Sequence, residues 1–207
     1  MRVLCLDLEG VLIPEVWQAV AKETGIDAFN LTTRDIPDYD ELMQMRLRTL
    51  SEHDLSLSRI DAVIDTLVPL PGAVEFLNWA RTQFQVAIIS DTFYGFARPL
   101  MAKLGYPMLL CHQLVIENDR IVNYRLRQRD PKRHSVQAFQ SLTYEVFAAG
   151  DSFNDLSMLQ QADRGFWLHA PDHISTAHPE FPRAANHQEL IALLEAANAS
   201  PPALSRT

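Results

Sequence analysis

The sequence is poor in cysteine and in positive charge. Its 207 residues contain two cysteines, Cys5 and Cys111, without a paired spacing, so two reduced core thiols are expected rather than a disulfide framework. Lysine and arginine number 18 against 26 acidic residues, which gives a net charge of −8. Because there is no basic run, no nucleic-acid partner is expected, and any phosphate group must be bound locally.

Long hydrophobic runs are also absent. No apolar stretch approaches the ~20 residues that span a bilayer, so no membrane association is expected. The N-terminal segment MRVLCLDLEG reaches an acid at Asp7, which is not the pattern of a signal peptide. We therefore expect a cytoplasmic protein. The hydrophobic fraction of 47% is that of a globular chain, with one domain or a core that carries a modest insertion.

Short apolar runs alternate with amphipathic segments along the chain. The runs are residues 3–8, QVAIIS, EVFAAG and GFWLHA. Strands that alternate with helices predict an α/β fold, a Rossmann-like three-layer core in which helices cover both faces of a parallel sheet. The stretch LLCHQLVIENDRIVNYRLR predicts a β-hairpin that turns at Asn118 and Asp119.

The helical stretch after the first strand is too long for a simple crossover. Residues from about 16 to 75 read mostly as helices, such as VWQAVAKETG and DYDELMQMRLRTLSEH. We interpret this stretch as an inserted helical cap. The predicted organisation is a core of residues 1–13 and 76–200, a cap of residues 14–75, and a frayed tail of residues 201–207.

The stretch CLDLEGVLIPE places two acids at the end of an apolar strand. Asp7 and Glu9 point to the same side of the strand, and a carboxylate there is costly unless something binds it. Ser90 and Asp151 also end predicted strands. Since ligands of open α/β sheets bind beyond the carboxyl ends of the strands, these side chains are predicted to share one site.

These residue types together predict phosphoryl transfer. Asp7 is a candidate nucleophile that would form an aspartyl-phosphate, and Glu9 is a candidate general acid and base. Ser90 supplies a hydroxyl, and Lys132, in RDPKR, supplies a cation for phosphoryl oxygens. Arg129 and Arg133 are alternative cations in the same segment.

The segment GDSFND adds oxygen ligands. It contains Asp151 and Asp155, and carboxylates alone suit Mg²⁺, which shares its site with phosphate. A metal ion would offset the repulsion between Asp7 and Asp151. We therefore predict Mg²⁺ as the cofactor.

The chain resembles the haloacid dehalogenase superfamily over essentially its whole length. The resemblance rests on four motifs in the same order as in that superfamily: DLEGV, IIS before Asp91, Lys132 and GDSFND. Within it the chain is similar to phosphoserine phosphatases with a helical cap, and most to those that also transfer the phosphoryl group to homoserine. LDLEGVLIPE, TTRDIPDYD and SDTFY carry this closer resemblance. It implies a Mg²⁺-dependent enzyme of amino-acid biosynthesis that hydrolyses O-phospho-L-serine to L-serine.

The resemblance also implies a role for each matching residue. The catalytic pair would be Asp7 and Glu9, and the phosphate-binding pair would be Ser90 and Lys132. Mg²⁺ would be held by Asp7, the backbone carbonyl of Glu9, and Asp151, with Asp155 behind them. The substrate-binding residues would be Glu15 for the ammonium group, Arg46 for the carboxylate, and Asn154.

Two positions depart from the common pattern of the superfamily. The second acid is Glu9 instead of aspartate. By the resemblance, the chain shares this glutamate with the transferase-like members. Its extra methylene group leads to the hypothesis that an alcohol acceptor is favoured over water. Asp91 stands where a glycine is usual, and the sequence assigns it no role.

Several alternatives stay open at this point. Arg48 competes with Arg46 as the carboxylate ligand, and the substrate could be another small phosphomonoester. A receiver-type signalling domain would lack both the acid two residues after the nucleophile and the cap, and an inactive binding protein would have lost catalytic residues. The histidines of WLHAPDHISTAHPE match no standard zinc pattern. A homodimer is neither indicated nor excluded.

Overall fold

A single mostly parallel sheet organises the protein, for which a computed structural model describes residues 1–33, 35–36 and 38–199. Its strands are β1 (Arg2–Leu6), β2 (Gln85–Phe93), β3 (Met108–Glu117), β4 (Arg120–Arg125), β5 (Glu145–Gly150), β6 (Arg164–Leu168) and β7 (Arg183–Ala184). Across the sheet the order is β4-β3-β2-β1-β5-β6-β7, and only the β3–β4 pair is antiparallel among these described strands. The strand β1, from which Asp7 follows, therefore lies at the centre.

Helices connect the strands. They are α1 (Val16–Thr24), α2 (Tyr39–Glu52), α3 (Leu57–Thr66), α4 (Ala73–Gln83), α5 (Tyr94–Lys103), α6 (Pro131–Ser141), α7 (Leu156–Gln161), α8 (Asp172–Ala177) and α9 (His187–Asn198). Short 3₁₀ turns cover Asp27–Asn30 and Phe153–Asp155. In the described part of the chain no helix is long and apolar enough to cross a bilayer.

This arrangement confirms the predicted α/β fold with its parallel sheet, inserted helical segment and hairpin. Helices α1, α2 and α3 lie between β1 and α4, inside the range 14–75 predicted for the cap. The domain bounds themselves stay a prediction. The tail predicted at 201–207 lies outside the described residues.

The core lies on both faces of the sheet. Leu4 and Leu6 face one buried apolar cluster, and Val3 and Cys5 face the other, as strand alternation requires. A strand buried on both faces reads as a continuous apolar run, which explains the sequence of β1. Cys5 and Cys111 are buried and free, and burial raises the pKa of both thiols, to about 12 for Cys111.

Strand β2 runs further than the sequence predicts. It was expected to end at Ser90 but continues to Phe93. Its pairing with β1 stops at Ile88, and its pairing with β3 is interrupted before Phe93 meets His112. The extended backbone therefore persists on the β3 side only, and Ser90 still lies beyond the end of the β1 pairing.

The predicted hairpin contacts the helical segment. Asp119, in the turn, caps the start of α3: its carbonyl accepts from Leu57 N at 2.8 Å, and its carboxylate accepts from Ser58 N at 2.9 Å and Ser58 Oγ at 2.7 Å. On β4, the Tyr124 hydroxyl donates to Asp40 in the first turn of α2. The hairpin therefore holds two cap helices against the core.

His187 lies between the two connections that join the core to the cap. Its Nε2 is 2.8 Å from the carbonyl oxygen of Val11, on the outgoing connection, and its Nδ1 is 3.1 Å from that of Pro71, on the returning one. Leu70 N donates directly to the Leu12 carbonyl at 2.9 Å. Burial lowers the pKa of His187, which is 3% exposed, so the folded protein favours the neutral ring.

This lowered pKa predicts a loss of stability in mild acid. The unfolded chain binds the proton more readily, so the contribution of His187 is present above its ordinary pKa of ~6.5 and is lost as the pH falls below it. His187→Gln, which keeps one N–H donor, is expected to be less stable by about 1 kcal/mol at neutral pH but to lose less stability on acidification. Urea unfolding at about pH 7.5 and about pH 5.5 measures both effects.

The exposed His53 provides the matched control. His53→Gln should keep the pH dependence of the original protein. An unchanged pH dependence in His187→Gln would contradict the assignment.

Candidate active site

Three residues at the carboxyl edge of the sheet come together. Asp7 follows β1 and Asp151 follows β5, and the two strands are neighbours, with Asp7 N donating to the Ala149 carbonyl at 3.1 Å. Ser90 lies on β2, on the other side of β1. Asp7, Ser90 and Asp151 are 4%, 3% and 5% exposed, so the site is largely shielded from bulk water.

The turn after Asp7 depends on Gly10. Its φ of 75° lies in the left-handed region, and a Cβ built there would lie 2.5 Å from Asp151 Oδ2. This close approach brings the loop after β1 against the loop after β5. Glu9, just before the turn, accepts a hydrogen bond from Val16 N at 3.0 Å through Oε2. Its carboxylate is thereby directed to the start of α1.

Lys132 is the buried cation of the site. Its Nζ lies 2.6 Å from Asp155 Oδ1, 3.2 Å from Asp7 Oδ1 and 3.3 Å from Asp91 Oδ2, and the residue is 2% exposed. Burial alone would lower the pKa of Lys132, but Asp155, Asp7 and Asp91 raise it well above its usual value. The side chain is therefore an ammonium ion. Both alternatives, Arg129 and Arg133, are exposed.

Asp155 organises the loop that follows β5. It is fully buried, and its Oδ2 accepts from the backbone N–H groups of Asp151 at 2.9 Å and Ser152 at 3.1 Å. A Cβ on Gly150 would lie 2.3 Å from Asp155 Cγ, so only glycine fits there. Since its oxygens are already engaged by these groups and by Lys132, Asp155 supports the site from behind.

Asp7, Asp151 and Asp155 offer oxygen atoms that all lie within 4.8 Å of one another. Asp7 Oδ1 is buried and accepts no hydrogen bond. Burial raises the pKa of Asp7, Lys132 opposes that rise, and Asp155 and Asp151 add to it. A set of oxygen ligands with excess negative charge fits a divalent cation such as Mg²⁺, because the ion-pair contact of Asp7 Oδ1, at 3.2 Å from Lys132 Nζ, leaves that oxygen without a hydrogen bond. Among the described residues, no second cluster of this kind occurs, and the histidines form none.

A cavity joins this edge to the helical segment. Of the predicted site residues, six line it: Asp7, Glu9, Glu15, Arg46, Ser90 and Asn154. The other three, Lys132, Asp151 and Asp155, are buried beside Asp7. The structure thus brings all nine predicted residues to one place.

Arg46 rather than Arg48 faces the cavity. Arg46 is 7% exposed, its guanidinium carbon lies 4.8 Å from the centre of the Trp17 ring, and Nη2 donates to the Leu31 carbonyl at 2.9 Å. Its Nε is buried without a hydrogen-bond partner. Burial lowers the pKa of Arg46, while Glu9 and its other neighbours oppose that shift. Arg48 is exposed on the opposite side of α2.

Sequence reasoning missed part of the site. Trp17 and Tyr39 line the cavity from the cap, and the Tyr39 hydroxyl donates to the Asp91 carbonyl at 2.7 Å. The Asp91 carboxylate accepts from Asn154 Nδ2 at 2.9 Å and lies 3.4 Å from His112 Nε2. The one available signal was the departure at Asp91, because aromatic residues on cap helices form no motif.

Comparisons with known proteins show the family of the chain. A model of the haloacid dehalogenase-like hydrolase family matches residues 1–163. The phosphoserine phosphatase of Pseudomonas syringae pv. tomato is 58% identical over 92% of this chain and 81% of its own length. The phosphoserine phosphatase ThrH of Pseudomonas aeruginosa is also 58% identical, over 92% of this chain and 93% of its own.

Solved structures share the fold at lower identity. A phosphoserine phosphatase in apo form is 17% identical, with a TM-score of 0.78 over 92% of this chain and 98% of that chain. A phospho-aspartyl intermediate analogue of phosphoserine phosphatase is 16% identical, with a TM-score of 0.79 over 93% and 98%. With its motifs gathered at one edge and 58% identity to curated relatives, the chain belongs to the haloacid dehalogenase-like hydrolase family.

Proposed function

We propose that the protein is a Mg²⁺-dependent phosphatase that hydrolyses O-phospho-L-serine to L-serine. The observation that carries this proposal is the buried Asp7 carboxylate, whose Oδ1 accepts no hydrogen bond and lies 3.2 Å from Lys132 Nζ. A nucleophile held beside a fixed cation suits attack on phosphorus. The two relatives at 58% identity, both named phosphoserine phosphatase, support the substrate.

The reaction would proceed in two displacements. In the first, an Asp7 oxygen bonds to phosphorus while the bond from phosphorus to the serine oxygen breaks, and Glu9 gives its proton to that oxygen. In the second, Glu9 takes a proton from water, the hydroxide attacks phosphorus, and the Asp7–phosphorus bond breaks to release phosphate. The solved phospho-aspartyl intermediate analogue belongs to a protein of the same fold, which supports this route.

Charge neutralisation would come from several groups. Lys132 and the Ser90 hydroxyl would bind phosphoryl oxygens, and the raised pKa of Lys132 keeps its charge. Asp7 and Asp151, with the Glu9 carbonyl, would hold Mg²⁺, which when bound offsets the negative charge of phosphate and carboxylates. Asp155 would act indirectly, because its oxygens bind Lys132 and the backbone of the loop.

The helical cap would recognise the amino-acid part of the substrate. Arg46 offers a buried Nε without a hydrogen-bond partner, and a carboxylate binds a guanidinium group through two parallel hydrogen bonds. Trp17 lies against its other face and fixes its plane. Glu15 and Asn154 line the same cavity and are proposed to bind the ammonium group and the phosphorylated end of the substrate.

Transfer of the phosphoryl group to homoserine is proposed as a second activity. The acceptor hydroxyl would replace water in the second displacement, so the same residues serve both reactions. The longer side chain of Glu9, which bridges to the start of α1, supports this proposal. With L-serine as the proposed product, a role in amino-acid biosynthesis is proposed as well. A cytoplasmic location stays a prediction, and the oligomeric state stays open.

Turnover of phosphoserine tests the main proposal. The protein with Mg²⁺ should release phosphate over many turnovers, because Asp7 is regenerated in each cycle, and removal of the metal with EDTA should stop release until Mg²⁺ is restored. Asp7→Asn should lose at least ~10³-fold in kcat, since an amide is not a nucleophile. ³¹P NMR and a phosphate-release assay measure these outcomes, and normal turnover by Asp7→Asn would contradict the proposal.

Transfer is tested by adding homoserine to the same reaction. A second phosphomonoester signal should appear in the ³¹P spectrum at the expense of inorganic phosphate. Glu9→Asp should shift the products towards phosphate, since the shorter side chain no longer favours the alcohol. If no second signal forms, the enzyme is a hydrolase only, and an unchanged product ratio in Glu9→Asp removes the role given to its length.

Substrate specificity is tested at Arg46. Arg46→Ala should raise KM for phosphoserine by ~10- to 100-fold, because the substrate carboxylate loses its charged partner, while cleavage of an aryl phosphate changes by less than ~3-fold. Arg48→Ala, on the exposed side of the same helix, is the matched control and should behave as the original protein. Equal loss on both substrates would favour another small phosphomonoester as the substrate.

A further inference from the structure

The Asp91 carboxylate, next to the proposed phosphate-binding Ser90, contacts three polar side chains. Its Oδ2 accepts from Asn154 Nδ2 at 2.9 Å and lies 3.3 Å from Lys132 Nζ, while its Oδ1 lies 3.4 Å from His112 Nε2. Two of these partners belong to the machinery described above, and the third does not. Since the two displacements use neither Asp91 nor His112, their role needs a separate explanation.

The orientation of His112 is fixed by the backbone. The ring is 1% exposed, and its Nδ1 accepts a hydrogen bond from Arg127 N at 3.2 Å. A nitrogen that accepts carries a lone pair, so the ring hydrogen lies on Nε2. That hydrogen faces Asp91 Oδ1. The hairpin backbone therefore determines that Nε2 carries the hydrogen on the side of Asp91, where it lies 3.4 Å from Oδ1.

Asp91 is a carboxylate in this environment. Burial alone would raise its pKa, but Lys132 and the hydrogen bonds from His112 and Asn154 outweigh that effect and hold the pKa of Asp91 below its usual range. Lys132 consequently has a carboxylate on the cavity side in addition to Asp155 and Asp7. A glycine at position 91 would leave that side of the ammonium group without a partner.

The cap contacts the same pair of residues. The Tyr39 hydroxyl donates to the Asp91 carbonyl at 2.7 Å, and the Tyr39 ring meets the His112 ring edge-on at 5.9 Å between centres. Tyr39 begins α2, the helix that also carries Arg46. The pair therefore lies where core, hairpin and cap meet.

We propose that Asp91 and His112 are positioning residues of the active site, in which Asp91 holds Lys132 and Asn154 in place and His112 acts only through Asp91. The proposal rests on the proposed phosphatase function. Misplacement of Lys132 would weaken stabilisation of the reacting phosphoryl group more than binding of the amino-acid part. Loss of the pair is therefore expected mainly in kcat.

A double-mutant cycle tests the coupling between the two residues. His112→Leu should lower kcat by ~10-fold with little change in KM, because Asp91 loses the donor that orients it. In the Asp91→Gly background the same change should lower kcat by less than ~2-fold, since its only route of action is gone. If His112→Leu lowers kcat by the same factor in the original protein and in Asp91→Gly, the proposal is overturned.

A conservative variant separates orientation from packing. His112→Gln presents an amide N–H near the position of Nε2 and should retain kcat within ~3-fold of the original enzyme. Cys111→Ala, a core change at the preceding residue, is the control and should leave kcat unchanged. If His112→Gln is as impaired as His112→Leu, a donor at this position is not what matters, and the proposal fails.

Spectroscopy gives a readout that does not depend on turnover. In ¹⁵N-labelled protein the signal that disappears in His112→Gln should show a neutral ring protonated at Nε2, and protonation at Nδ1 would overturn the proposal. The cycle is also run with an aryl phosphate. If the original enzyme cleaves the aryl phosphate but not phosphoserine, the proposed substrate is wrong. If the losses in kcat on the aryl phosphate multiply across the two backgrounds, the proposed coupling between Asp91 and His112 is wrong.

Discussion

The whole site depends on the ammonium group of Lys132, which compensates a cluster of buried and half-buried carboxylates. Asp7, Asp91 and Asp155 lie within 3.3 Å of it, and Asp151 lies next to Asp7 and Asp155. Burying charges is costly unless each has a partner. One ammonium group cannot balance four carboxylates, so burial and the excess negative charge together raise the pKa of Asp7 well above its usual value. That excess is the physical reason to expect a divalent cation at Asp7, whose Oδ1 has no hydrogen bond.

The topology explains how acids that repel one another are held together. Because β1 lies between β2 and β5, residues that follow these three strands must meet at one edge. Two glycines allow the backbone to come this close to the carboxyl groups. At Gly10 and at Gly150 a Cβ would collide with an aspartate carboxyl group. Burial of the two apolar clusters stabilises the fold and thereby keeps these carboxylates close together, although their mutual repulsion opposes it.

Local pattern was enough to predict the edge of the sheet. Asp7 and Asp151 each follow an apolar run directly. A charged group at the end of a buried strand is costly unless it has a partner, so this pattern indicates a site. The choice between Arg46 and Arg48 was also available from the sequence. The buried residues of α2 follow helical spacing, with Arg46 on the face of Leu42, Met43, Thr49 and Leu50. Position along the helix therefore distinguishes the two arginines.

Long-range packing was not predictable in the same way. Tyr39, Asp91 and His112 meet only because the cap and the hairpin fold onto the core, and no local spacing encodes that contact. Strand β7 and helix α8 were not predicted because two and six residues are too few for periodicity. Helix α9, by contrast, carries buried apolar residues at helical spacing, so its sequence is sufficient to predict it.

Two acids of the core at the candidate site accept hydrogen bonds from the cap. Glu9 belongs to the loop after β1, but its carboxylate accepts from Val16 N at the start of α1. Asp91 belongs to β2, but its carbonyl accepts from Tyr39 at the start of α2. Each of these two core acids is thus tied to the first turn of a cap helix. A displacement of the cap would change the surroundings of the proposed proton donor and of Asp91 at once, so the proposed substrate binding in the cavity and the proposed proton transfer at Glu9 would depend on the same contacts.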